Sequence, residues 1–139
     1  MKKILFVFCM ILGSLALAAK AQAQIIVIAN SNVKVSEVSK SDLKDVFTGA
    51  SASLGGGNVV PILLKAGTAH EEFLQAYIGK NDTAYRAGWR SLVFSGQASM
   101  PKNLNTDAEV VEFVAHNHGA IGYIGKGTPH EGVKVLAVR

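Results

Sequence analysis

Pro61-Ile62-Leu63-Leu64-Lys65-Ala66-Gly67-Thr68-Ala69-His70-Glu71-Glu72-Phe73-Leu74 is the stretch on which the reading of the fold turns. An apolar run from Val59 to Leu64, with a proline near its beginning, reads as a buried strand. Lys65-Ala66-Gly67 then makes a tight turn, and Thr68-Ala69-His70-Glu71 has the T-x-x-E form of a capping box that opens a helix over 68–78. A strand that feeds a helix through a glycine turn is one step of an α/β alternation. The same joint is a candidate anion site. Free N–H groups at positions 67 to 71 would point out of the helix start, and Gly67 would let an oxyanion approach the backbone. Thr68 adds a hydroxyl and Lys65 a charge, so Lys65, Ala66, Gly67 and Thr68 are the candidate ligand residues. Most joints of this kind only cap a helix.

The alternation continues in both directions. Upstream, Ile25-Ile26-Val27-Ile28-Ala29 is a short β-branched run closed by Asn30-Ser31-Asn32, and its unbroken apolarity predicts a strand covered on both faces. Acids in the first turn of Asp42-Leu43-Lys44-Asp45-Val46-Phe47, with Gly49 beyond its end, predict a brief helix. Residues 50–58, with Gly55-Gly56-Gly57, read as a flexible loop. Downstream, helices are predicted over 82–95 and 106–117, the second opened by the capping box Thr106-Asp107-Ala108-Glu109. Strands at 120–124 and 133–138 close the chain. The order predicts one three-layer α/β/α domain with a mixed, mostly parallel sheet, and no repeat or linker divides it.

Composition narrows the function. The hydrophobic share of 49% against 17% charged allows a packed core. Of the 14 Lys and Arg, three (Lys2, Lys3 and Lys20) fall in the first 23 residues, where there is no acid; the remainder carries 11 basic against 10 acidic groups. A net charge of +1 is too small for a nucleic-acid footprint.

Those first residues read as a secretory signal. Lys2-Lys3 precedes an uncharged run from Ile4 to Ala19 and the small-x-small site Ala21-Gln22-Ala23, which predicts export and cleavage after Ala23. The run falls short of the roughly 20 residues that span a bilayer. Cys9 lies within it and lacks the setting of a lipid-bearing cysteine. Residues 24–139 then form a cysteine-free periplasmic domain with no disulfide, thiol chemistry or thiolate metal site.

Several motifs in a fixed order carry a resemblance. Ser41-Asp42-Leu43 through Val46-Phe47-Thr48-Gly49, the strand with Pro61, Ala66-Gly67-Thr68 with Phe73, then Trp89, Phe94-x-Gly96, and Gly119-Ala120-Ile121-Gly122-Tyr123-Ile124 resemble the phosphate-binding proteins of ABC transporters. That family implies a two-lobed periplasmic clamp of the type II periplasmic-binding-protein kind, of which this chain has room for one lobe, similar mainly to the second. It implies a non-enzymatic protein without a cofactor whose ligand is a small oxyanion, phosphate first. The family's phosphate loop has an arginine, an acid two residues later, and serine-glycine-threonine at the helix start. Gly67 and Thr68 match, Ala66 replaces the serine, and Leu64-Lys65 runs straight into Ala66 without the arginine or the acid. Lys65 stands in for the arginine as a point charge and not as a fork. The alternative, from another class, is an interaction protein that uses the lobe surface for an envelope partner or a second copy.

Other features have plainer readings. His116-Asn117-His118 sits at a predicted helix end, where imidazole complements the dipole, and no third ligand accompanies it, so no metal is expected. Tyr85 and Trp89, spaced by four, form an aromatic stripe in which Trp89 reads as a core anchor, beside Arg86 and Arg90 as a solvated basic stripe. No serine lies in a G-x-S-x-G elbow. Gly125-Lys126-Gly127-Thr128 lacks the spacing of a phosphate loop and reads as a hairpin turn.

Overall fold

In a computed structural model that describes residues 24–139, the chain runs β1 (Ile25–Ala29), β2 (Glu37–Val38), α1 (Lys40–Phe47), β3 (Ser53–Leu54), β4 (Gly57–Asn58), β5 (Val60–Leu64), α2 (Thr68–Phe73), α3 (Asp82–Phe94), β6 (Lys102–Leu104), α4 (Asp107–His116), β7 (Ala120–Gly125) and β8 (Lys134–Val138). The expected signal segment, 1–23, lies outside the described residues. No helix among those described is long and apolar enough to cross a membrane.

The main sheet has the order β2-β8-β1-β7-β5-β6. β1 pairs antiparallel with β7 (Ile25 opposite Gly125) and with β8 (Val27 opposite Leu136), while the β2–β8, β5–β7 and β5–β6 pairs are parallel. Five strands thus run one way and β1 alone runs against them. The mixed, mostly parallel sheet is as expected. The carboxyl ends of β5, β6, β7 and β8 share one edge, where open α/β sheets bind ligands.

Alternation along β7 separates the layers. A Cβ on Gly122 would meet Val110 and Val114 of α4. Its neighbour Tyr123 faces the opposite side, stacked on Phe73 of α2 at 3.9 Å and edge-on to Phe47 of α1. α4 therefore covers one face and α1 and α2 the other, and Ile28, Ile62, Leu63, Ile121 and Ile124 are buried between them. Apolar strands covered on both sides read as continuous runs for this reason.

Three expectations are corrected. Residues 50–58 are not an unstructured loop, since β3 and β4 pair as a small hairpin around Gly55-Gly56, both at positive φ. Gly125-Lys126-Gly127-Thr128 is not a hairpin turn. β7 and β8 both pair with β1, which lies between them, so this segment begins a crossover. Lastly, Thr68 does not cap α2. Gly67 occupies the N-cap position, and its carbonyl accepts from the Glu71 N–H at 3.0 Å, so the threonine falls inside the first turn and makes no capping bond. The other caps form as read: Ser39 accepts from the Asp42 N–H and Thr106 from the Glu109 N–H. After Phe73 the helix widens to a π-helical turn, Leu74–Ile78, which Gly79 ends at φ 77°.

Candidate functional site

The Lys65–Thr68 turn leaves the carboxyl end of β5 at the edge of the sheet shared by the strands' carboxyl ends, and all four residues are exposed. Gly67 has φ 105° and ψ 176°, a conformation essentially restricted to glycine, with no atom within 4 Å of where a Cβ would stand. Space and backbone geometry both leave the turn open to a ligand. The Glu71 N–H is taken by Gly67, and the N–H groups before it in the helix have no intrahelical carbonyl to bond to. Because the Thr68 hydroxyl is not spent on a cap, it is free for a ligand. The Lys65 ammonium is exposed, and Lys126 stands exposed on the same edge after β7. Glu71, in the first turn of α2, opposes them with a negative charge.

Behind the turn lies a polar network that sequence reading did not assemble. Arg86 of α3 donates from Nη2 to the carbonyls of Leu64 (3.1 Å) and Lys65 (3.0 Å), from Nη1 to Asn103 Oδ1 (2.6 Å) and from Nε to Asp82 Oδ1 (2.8 Å). It is no member of a solvated stripe, since its side chain is only 18% exposed. Arg90 is exposed. His70, 1% exposed, lies 2.5 Å from the Tyr123 hydroxyl through Nδ1 and 2.7 Å from Asp82 Oδ1 through Nε2. The Tyr123 oxygen also accepts from the Leu64 N–H at 3.1 Å, so the His70 ring is held between a hydroxyl on one side and a carboxylate on the other. Among the described residues, no buried side-chain nitrogen or oxygen lacks a partner.

Electrostatics follow from these contacts. Burial raises the Asp82 carboxyl, but the hydrogen bond from His70 and the charge of Arg86 outweigh it and hold the group below its ordinary value. Burial pushes the Tyr123 hydroxyl well up and that of Tyr85 up to about 12. Tyr123 therefore keeps its proton throughout the neutral range.

The network was hidden because its acceptors at 64, 65 and 103 are remote in sequence from Arg86. The spacing of four between Asp82 and Arg86 was its one local signal. The histidines at the end of α4 stay apart from the site: His116 lies 2.9 Å from the Glu112 carbonyl. No group of three or more His, Cys, Asp or Glu among the described residues is placed to hold a metal.

No family model matches the sequence, and no curated protein matches it. Solved structures do match in fold. A protein from Clostridium perfringens, described as a phosphate ABC transporter substrate-binding protein and determined with bound phosphate, aligns with a TM-score of 0.65 at 20% identity over 83% of this chain and 44% of its own. PstS from Borrelia burgdorferi aligns at 0.64 and 17% identity over 84% of this chain and 47% of its own. An ABC-type phosphate transport receptor from Vibrio cholerae aligns at 0.57 and 16% identity over 83% and 46%. The chain spans less than half the length of these proteins, and what it shares with them is the fold.

Proposed function

We propose that this protein is an exported, non-enzymatic binding domain that holds a small oxyanion, phosphate first, at Lys65, Ala66, Gly67 and Thr68. The observation that carries the reading is the open turn at the carboxyl end of β5, with Gly67 at φ 105° and an uncommitted Thr68 hydroxyl. Its support from outside is the fold shared with a protein determined with bound phosphate. Binding is weak, in the range of about −8 to −4 kcal/mol for micromolar to millimolar affinity, because the donors face solvent and Glu71 opposes the ligand. Salt weakens it further by screening.

Calorimetric titration with phosphate and sulfate tests the reading. Lys65→Ala lowers affinity for both anions without changing their order, since a point charge attracts without shaping. Gly67→Val abolishes binding in a folded protein, because a β-branched residue resists positive φ. No heat of binding at millimolar anion, or full binding by the valine variant, overturns it. Export is checked by the intact mass of the periplasmic form, which should begin at Gln24. The interaction-protein reading draws on one feature, the 96% exposed Phe94 at the end of α3. A stable complex with an envelope protein that is lost in Phe94→Ala, with no anion bound, would favour it.

A further inference from the structure

Two successive peptide planes at the start of the turn are set by a single side chain. All peptide bonds in the described residues are trans, so the carbonyl and N–H of each unit point in opposite directions. The Leu64 carbonyl turns toward Arg86, and the Lys65 N–H of the same unit points away, to the Leu104 carbonyl at 2.9 Å. The Lys65 carbonyl also turns toward Arg86, so the Ala66 N–H points away from the guanidinium. No acceptor among the described residues takes it.

The two protons of one Nη2 nitrogen reach two carbonyls from within a rigid plane, which a lysine ammonium on a flexible stem does not reproduce. Arg86 is itself held from two other sides, by Asp82 on its own helix and by Asn103 on β6. Lys65 and Ala66, by contrast, are exposed and have little else to keep them in place. If the 65–66 peptide were to flip, the Lys65 carbonyl oxygen would face the place where an anion sits, and an attractive donor would become a repulsive acceptor.

We propose that Arg86 is a positioning residue for the anion turn: it draws both carbonyls inward and thereby aims the Ala66 N–H outward at the ligand. The inference rests on the reading of Lys65–Thr68 as an oxyanion site. It differs from that reading in assigning a role to a residue that does not touch the anion.

The test compares the 15N-labelled protein with Arg86→Lys and Arg86→Met, first without ligand and then during titration with inorganic phosphate. In the parent, the Ala66 amide proton moves downfield as phosphate is added. In Arg86→Met the core amide signals persist, the ligand-free Ala66 signal shifts toward its random-coil position, and the phosphate Kd rises at least tenfold. Arg86→Lys, which holds one carbonyl at a time, falls between them. A methionine variant with the parent's Kd, or with unchanged ligand-free Ala66 shifts, overturns the proposal. If the methionine variant fails to fold, the lysine variant decides, and parent-like Kd and Ala66 shifts in it overturn the proposal. If the parent binds no phosphate, the reading of the site fails, and the ligand-free Ala66 comparison still decides whether Arg86 positions the turn.

Discussion

Gly67 and Thr68 are adjacent in the turn, yet a substitution at each acts on a different quantity. Gly67 sits at φ 105° and ψ 176°, where an L side chain is strained even with open space around it. Gly67→Ala therefore costs about 1–3 kcal/mol of stability through conformation and not through a clash. Thr68 makes no capping bond, so Thr68→Ala leaves stability within about 0.5 kcal/mol while anion affinity drops several-fold. Urea denaturation of both variants separates the cases, and a loss above 1 kcal/mol in the threonine variant would show that it caps the helix after all. The sequence assigned the cap to Thr68, whereas Gly67 holds that position and the threonine hydroxyl is left without a capping bond. The T-x-x-E pattern identifies a cap by residue type, whereas the N-cap position is assigned by backbone angles, and the glycine's φ is invisible in a string of letters.

At the scale of elements, α3 is tied to the end of α1 through one carbonyl. The Tyr85 hydroxyl and Trp89 Nε1 (3.0 Å) both donate to the Phe47 carbonyl, filling its two lone pairs at a helix end that lacks intrahelical donors. Removing one donor leaves the carbonyl satisfied by the other. Tyr85→Phe alone should thus cost about 1 kcal/mol, and Trp89→Phe that plus lost packing. The double variant leaves a buried carbonyl unpaired, and the two effects should exceed additivity by about 1–2 kcal/mol. Strict additivity in denaturant unfolding would show that the shared acceptor does not couple them. The spacing of four marked an aromatic stripe with Trp89 as its anchor, while the matching role of Tyr85 emerges only from the shared carbonyl, and the longer strands and helices were legible from apolar runs and caps. β2 and β6 were not, because two or three residues hold too little pattern and exist as strands only through the neighbours they pair with.

For the molecule as a whole, layer order was legible and strand order was not. Continuous apolar runs alternating with capped helices imply a covered sheet, but β1 finds its antiparallel partner across the pairing of Ile25 with Gly125, a long-range choice that no local pattern encodes. The same long reach joins the layers through Asp82. It accepts from His70, which leads to Tyr123 on β7, and from Arg86, which leads to β5 and β6, so one carboxylate links the start of α3 to three strands. A domain of this size unfolds as a unit, so a shift at this link appears in global stability. The folded carboxyl lies below its unfolded value of about 3.9. Its contribution is therefore fully present above that pH and is lost as pH falls through the folded value. With the side chain 47% exposed, solvent screening keeps the contribution to about 1 kcal/mol or less. Asp82→Asn keeps an oxygen acceptor for His70 and Arg86 but not the charge. It should be less stable than the parent at pH 7, and the gap should begin to narrow below about pH 4, where the unfolded carboxylate takes up its proton, and close as pH falls through the lower folded value. Urea unfolding of both proteins at pH 7, 5 and 3 measures this directly, and a gap that stays constant across that range would mean that the carboxylate's charge contributes nothing to holding the helices on the sheet.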